Sequence, residues 1–121
     1  MQLSINKDDG NIAQVSVSGR VTQDELTKVP RPLRKLLGDD ISSRRVLLNM
    51  NDTEFLDSSG VSWLLDTHKR FQEDGGRLVL VEVPQVVMNV IKVLRMNLVL
   101  NIAENERKAL ESLEEDPKSP F

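Results

Sequence analysis

The sequence contains no cysteine and only one histidine, and aromatic residues make up 3% of its 121 residues. The absence of cysteine excludes disulfide bonds, thiolate zinc sites and cysteine nucleophiles. With so few aromatic rings, the core must be built from valine, leucine and isoleucine. No apolar run approaches the roughly eighteen residues of a membrane-spanning helix, and the first residues do not resemble an export signal. We therefore expect a soluble, cytoplasmic protein without membrane insertion.

Positively charged residues are fewer than negatively charged ones. The chain has 16 lysines and arginines against 19 aspartates and glutamates, a formal net charge of −3. Without a basic surplus to neutralise phosphates, direct nucleic-acid binding is not expected. Glycine-rich phosphate loops are absent, and adjacent carboxylates such as Asp39-Asp40 stand among surface residues, which indicates a solvated face. The sequence thus predicts no cofactor and no metal site.

Alternating and apolar segments predict five β-strands. Residues 3–7 and 12–18 alternate apolar with polar side chains on either side of a turn, which is typical of a hairpin that Gly19 ends. Three later apolar runs predict further strands, at residues 45–50, 77–83 and 98–102. The first of these has the composition of a buried parallel strand. The polar segment from Asn51 to Asp57 is interpreted as a loop.

The first two predicted helices lie between these strands. One begins near Thr22, which has the spacing of a capping box with Glu25, and it is broken by Pro30 and Pro32. The second has an apolar face at helical spacing and a glycine pair at its end, formed by Val61, Leu64, Leu65, His68, Phe71 and Gly75-Gly76.

Two more helices complete the predicted order of elements. The third begins at Pro84, with Asn97 as its left-handed stop, and the fourth covers residues 106–113. Repeated strand-helix-strand units require right-handed parallel crossovers. The sequence therefore predicts one α/β domain over residues 1–115, with a mixed, mostly parallel sheet of about five strands and four helices. Residues 116–121 are predicted to form a polar tail.

The segment from Glu54 to Gly60 allows two interpretations. In the first, Asp57 or Ser58 caps the following helix and Gly60 permits close packing, with no function implied. In the second, the Ser58 hydroxyl is a phosphorylation site, because the free N–H groups and the dipole of a helix start favour a negative group. A phosphate placed there alters the surface charge without unfolding the domain.

Enzymatic catalysis lacks the residues that it needs. His68 follows Ser58 by about ten residues in the same predicted helix, roughly 15 Å along the axis, so the two cannot form a nucleophile and base pair. His68 also lies on the apolar face, which is typical of a packed core histidine. We expect a non-enzymatic protein.

Three segments together resemble the STAS domain of bacterial anti-sigma factor antagonists. They are Phe55 to Val61, the upstream strand Val46 to Met50, and the downstream run Gly75 to Leu80. The resemblance covers residues 3–113, and its most specific element is Asp-Ser-Ser-Gly at a strand-to-helix junction. The order of elements predicted from periodicity agrees with that of the family.

The resemblance implies a partner switch. In the family, the unphosphorylated antagonist binds an anti-sigma factor that is also a serine kinase, which releases the sigma factor for transcription. The kinase phosphorylates the serine after the motif aspartate, here Ser58, and a phosphatase removes the phosphate. Asp57 is then expected to position the hydroxyl or the kinase, while Ser59 and Gly60 shape the helix start. The other residues predicted to bind the partner are Thr22, Ser62, Trp63, Asp66 and Lys69.

The same resemblance also permits a second hypothesis. Related STAS domains serve as scaffolding modules of larger complexes, including lipid-transport ATPase assemblies. In that case Ser58 is not phosphorylated and only caps the helix.

Two other features leave alternatives open. Trp63 is offset from the apolar stripe of its helix, so it either packs against the sheet or forms an exposed partner contact. Lys92 and Arg95 lie in a stretch without acidic residues from Pro84 to Ala103, which forms either a small positive patch or an ordinary solvated helix face.

Overall fold

The apolar runs and amphipathic segments form six strands and five α-helices in the computed structural model, which describes residues 1–114. The strands are β1 (Gln2–Asp8), β2 (Ile12–Val21), β3 (Arg45–Asn49), β4 (Thr53–Leu56), β5 (Arg77–Val81) and β6 (Ile102–Ala103). The helices are α1 (Gln23–Lys28), α2 (Pro32–Leu37), α3 (Ser58–Glu73), α4 (Gln85–Val93) and α5 (Glu106–Glu114). Short 3-10 helices cover Ile41–Ser43 and Met96–Leu98. The predicted tail, residues 116–121, lies outside the described residues.

One mixed sheet organises the domain, with the strand order β1-β2-β3-β5-β6. β1 and β2 form the predicted antiparallel hairpin, and the other strand pairs are parallel. β2 continues past Gly19 to Val21, and its two halves have different neighbours: residues 12–16 pair with β3 and residues 19–21 pair with β4. The predicted fold class is confirmed, with one more strand and one more helix than expected.

The additional strand, β4, lies in the segment interpreted as a loop, so that interpretation is wrong. Its polar start hides the strand pattern, because Thr53 is a buried polar residue whose hydroxyl donates to the Val17 carbonyl at 3.0 Å. Leu56 is fully buried, while Glu54 is exposed. The strand is fixed by its parallel pairing with the end of β2. The hydrophobic pattern of its own four residues does not reveal this pairing.

Side chains of the central strands alternate between two faces of the sheet. One face, with Val46, Leu48 and Leu80, packs against the helices α2, α3 and α4. The opposite face, with Leu47 and Val79, packs against α5. The helix α3 thus lies on the face of the sheet that is covered by most of the helices. Within residues 1–114, no helix is long and apolar enough to cross a membrane.

The predicted break in the first helix is present and yields two helices. α1 ends at Lys28 and α2 begins at Pro32. Pro32 occupies the first turn of α2, where its missing N–H group would have no partner within the helix in any case.

Two predictions about the segment after α4 are wrong. The left-handed residue that ends the helix is Arg95, with φ 60°, and not Asn97. The strand expected over residues 98–102 is reduced to Ile102–Ala103. The reason is the 3-10 helix Met96–Leu98, which is closed by the Val99 N–H group donating to the Met96 carbonyl at 3.1 Å. The Leu100 N–H group donates to the same carbonyl at 2.8 Å, so the residues before Ile102 stay out of the sheet.

The predicted apolar stripe of α3 is confirmed and includes His68. Val61, Leu64, His68 and Phe71 are buried and Leu65 is half-buried. The helix ends at Glu73, with Asp74 as its C-cap residue just before the glycine pair. Burial in the core lowers the pKa of His68, and the positive charge of Arg77 lowers it further. His68 is therefore neutral in the folded protein over a wider range of pH than a solvated histidine.

We predict that His68 makes the stability of the domain fall as the pH decreases from about 8 to about 6. The unfolded imidazole takes up a proton below its ordinary pKa, whereas the folded one resists it until the pH passes its lowered value. Urea unfolding of the wild type and His68→Leu at both pH values measures the effect. The chain has one histidine, so the loss should shrink in the variant; an equal loss in both proteins contradicts this explanation.

Candidate functional site

The candidate site is the start of α3, where Ser58 is the first helical residue. Ser58 is exposed, and within residues 1–114 no hydrogen bond engages its hydroxyl group. The first turn of α3 contains no acidic residue. The hydroxyl thus lies in solvent at the positive end of a 16-residue helix.

Asp57 joins three elements at this point. Its Oδ1 accepts a hydrogen bond from the Gly60 N–H group at 2.9 Å, which caps α3. Its Oδ2 accepts from the Gln23 N–H group at 3.2 Å, which lies at the start of α1. Its own N–H group donates to the carbonyl of Val21 at the end of β2, at 3.3 Å. Of the two residues considered as the cap of α3, Asp57 performs this role.

The capping box predicted for α1 is wrong. Thr22 is the N-cap residue, but its side chain makes no capping hydrogen bond. The Glu25 carboxylate lies 3.5 Å from the amino nitrogen of Met1 instead. The Asp57 carboxylate, 34 residues away from Gln23 in the sequence, therefore supplies the acceptor that Thr22 and Glu25 do not.

Gly60 allows α3 to approach β2 closely. A Cβ atom at this position would lie 2.4 Å from the carbonyl oxygen of Val21 and 3.1 Å from the Leu56 side chain. No larger residue fits without a backbone shift. Gly60 therefore sets the distance between the start of α3 and the end of β2.

An exposed stripe runs along α3 from Ser58. Ser62, Asp66 and Lys69 follow at intervals of a helical turn, and all of them are exposed. We refer to Ser58, Ser62, Asp66 and Lys69 as the α3 stripe. These predicted site residues share one accessible surface.

The other predicted partner-binding residues are less accessible. Thr22, Asp57 and Ser59 are half-buried, and Gly60 is buried. Trp63 is only 9% exposed and packs in the core, so the alternative in which it forms an exposed contact is not supported. Trp63 is among the residues that line an open cleft of about 720 Å³ between α2 and α3.

The structure also adds residues that sequence reasoning missed. The Arg20 guanidinium lies 4.8 Å from the ring centre of Phe55, close to the start of α3. The backbone of Gln23 is fixed by Asp57. The apolar pair Phe55-Leu56 was the available signal for β4, but neither the ring contact nor the bond to Gln23 has a sequence signature.

Chemically, the site offers an exposed hydroxyl that is able to accept a phosphoryl group. Among residues 1–114, no group of three or more histidine, aspartate or glutamate side chains is arranged to hold a metal ion. The only imidazole, His68, is buried in the core, three helical turns away from Ser58.

Comparisons with known proteins identify the domain. A family model described as the STAS domain matches residues 5–109. An anti-sigma-factor antagonist (STAS) domain protein from Planctomyces limnophilus is similar, with a TM-score of 0.74 and 21% identity over 93% of this chain and 97% of that one. The anti-sigma factor antagonist SpoIIAA in its unphosphorylated form gives a TM-score of 0.68 at 17% identity, over 93% of this chain and 96% of SpoIIAA.

Two further structures extend the comparison. SpoIIAA of Bacillus in its phosphorylated form gives a TM-score of 0.62 at 14% identity, over 91% of this chain and 97% of that one. The murine anion transporter Slc26a9 gives a TM-score of 0.76 at 15% identity, over 89% of this chain but only 18% of the transporter. At these identities the structures establish the fold.

We predict that Gly60→Ala destabilises the domain by about 1–2 kcal/mol, because overpacking outweighs the gain in helix propensity. The measurement is urea unfolding of the variant and the wild type. Ser62→Ala is the matched control, since it changes an exposed position of the same helix and should leave the stability unchanged or slightly higher. Equal stability of Gly60→Ala and the wild type would mean that the contact with Val21 is not tight.

We predict that Asp57→Ala lowers the free energy of unfolding by about 0.5–2 kcal/mol, because the caps of two helices are lost. Asp57→Asn keeps one acceptor oxygen, so its effect should lie between those of alanine and the wild type. Asp66→Ala removes an exposed carboxylate from the middle of α3 and serves as the control in the same unfolding experiment. A loss no larger than that of the control would show that the Asp57 bonds do not stabilise the fold.

Proposed function

The chain belongs to the STAS domain family, and on that premise we propose that it is an anti-sigma factor antagonist whose partner binding is controlled by phosphorylation of Ser58. Its proposed partner is an anti-sigma factor with serine kinase activity, and a phosphatase restores the unmodified state. The domain itself performs no catalysis in this scheme and acts in the cytoplasm on transcription. It binds its partner when unphosphorylated and releases it when phosphorylated.

The observation that carries this proposal is the free, exposed hydroxyl of Ser58 at the start of α3. A kinase requires such access to the acceptor oxygen. The helix N-terminus favours the added negative charge, and the carboxylate of Asp57 just before Ser58 is hydrogen-bonded to the Gly60 and Gln23 N–H groups. The phosphorylated domain is therefore expected to keep its fold.

The α3 stripe supports the link between phosphorylation and release. Ser58 stands at its head, followed by Ser62, Asp66 and Lys69. A phosphate of about −1.5 to −2 charge at this position adds a desolvation cost and repels acidic groups of a docked partner. A loss of only about 1.4 kcal/mol already weakens binding tenfold. Release consequently requires no large conformational change.

The residues around Ser58 have separate proposed roles. Asp57 holds the start of α3 in place and presents the hydroxyl to the kinase, supported by its bonds to Gly60 and Gln23. Ser59 and Gly60 shape the first turn, and Thr22 lies beside it in the loop before α1. Trp63 contributes through the core, as its burial implies.

The alternative function is that of an unmodified assembly subunit, for example in a lipid-transport ATPase complex. It is favoured by the similarity to a segment of Slc26a9, in which the fold forms part of a much longer chain. In this alternative the exposed Ser58 hydroxyl has no role, and Asp57 alone caps the helix.

We predict that Ser58→Ala abolishes phosphate incorporation and that Ser58→Asp weakens kinase binding by about tenfold or more. Phosphopeptide mapping of the protein from its native cells, under growth and stress, measures the first effect. Binding to the anti-sigma factor recovered with the wild type measures the second.

Ser62→Ala and Ser62→Asp are the matched controls, because Ser62 is an exposed serine one turn further along the same stripe. Ser62→Ala, which leaves the charge of the stripe unchanged, should leave phosphate incorporation intact, whereas Ser62→Asp shows what a negative charge on the stripe does when the acceptor Ser58 is still present. If Ser58 carries no phosphate under any condition and the protein copurifies with a large complex regardless of the Ser58 variant, the assembly-subunit function replaces the proposed one.

A further inference from the structure

The outer side of α4 and the turn after it expose a group of large apolar side chains. Val87 and Ile91 anchor the inner side of α4 in the core. Val93 is 80% exposed and Leu98 is 78% exposed. We refer to the exposed apolar group as the α4 surface, and its members are Val86, Val93, Leu94, Leu98 and Val99. Contiguous exposed apolar groups of this kind mark interaction sites in soluble proteins.

The charged residues of this segment are all basic. Lys92 and Arg95 are exposed among the apolar side chains, and no acidic residue occurs from Pro84 to Ala103. Within residues 1–114, neither side chain forms an ion pair or a hydrogen bond. A segment with two cations and no carboxylate is distinctive in a chain whose net charge is −3.

Arg95 is held in a conformation that normally selects glycine. Its φ of 60° lies in the left-handed region, at the position after a helix where glycine or asparagine is preferred. An arginine there adds a cation to the segment between α4 and the 3-10 helix at the expense of backbone strain. Strained residues of this kind occur preferentially at sites that bind ligands or partners.

We propose that the α4 surface binds an acidic amphipathic helix of a partner protein. The apolar side of such a helix covers Val93 and Leu98, while its carboxylates pair with Lys92 and Arg95. A second copy of this chain is less suitable, because a symmetric contact would bring the cations of both copies together. An anionic membrane is also less suitable. The rest of the chain carries an excess of negative charge, which an extended anionic surface would repel. This surface is separate from the Ser58 switch and needs neither kinase nor phosphate.

The test uses a fluorescently labelled synthetic peptide, with leucines at helical spacing and glutamates elsewhere, and the full chain. Anisotropy should report saturable binding to the wild type. The double variant Val93→Ser and Leu98→Ser should weaken binding by about tenfold or more without lowering the Tm, because both side chains are already exposed.

Arg95→Gly distinguishes a binding role from a structural one. It should weaken peptide binding by about tenfold while the Tm stays equal or rises, because glycine relieves the left-handed strain. Ile5→Ser and Lys7→Glu are the controls, since they remove an exposed apolar residue and an exposed cation from β1. Both should bind the peptide as the wild type does.

Several results would overturn the proposal. These are no binding to the wild type, equal binding of a peptide with glutamine in place of glutamate, and a loss of Tm in Arg95→Gly. Self-association that the double variant abolishes, or binding to vesicles of phosphatidylglycerol in the absence of peptide binding, would assign the surface to a second copy or to a membrane. A failed Ser58 experiment leaves this test unaffected, because the peptide assay does not involve Ser58.

Discussion

The contact between the start of α3 and the end of β2 is the constraint on which the site depends. Gly60 lets the two backbones meet, and Asp57 fixes their alignment through bonds to α1, β2 and α3. Because Asp57 supplies the cap of α3, the side chain of Ser58 is left without a structural task. The residue that we propose as the modification site is thus one that the fold does not need.

This arrangement separates stability from the proposed signalling. Asp57 forms hydrogen bonds within the domain and Gly60 lies against β2, so we expect a change of either residue to destabilise the fold. Ser58 and the rest of the α3 stripe face solvent, so under the proposed function a change of charge there acts on the partner and not on the core. A modification site built in this way gains a large change in surface potential at little cost to the folded state.

Much of the fold was predictable because aliphatic periodicity records burial directly. The hairpin, the central strands, α3 and α5 follow from it, and the break in the first helix follows from Pro30 and Pro32. The failures share a different cause. β4 depends on pairing with a distant part of β2, and the cap of α1 comes from Asp57. In both cases the deciding contact joins segments far apart in the sequence, and local patterns do not contain it. The left-handed Arg95 was missed because the residue type gives no hint of that conformation.

The division of β2 between two neighbours has a consequence for local unfolding. Its first half is part of the main sheet with β1 and β3, whereas its last residues are joined to β4, a strand of four residues off the main path. Short peripheral strands open with smaller free energies than central ones, as amide hydrogen exchange detects. The strand that leads into Ser58 is therefore expected to exchange its amide hydrogens as its own cooperative unit while the central sheet stays closed. Under the proposed function, this gives a docking kinase access to a loosened segment without unfolding of the domain.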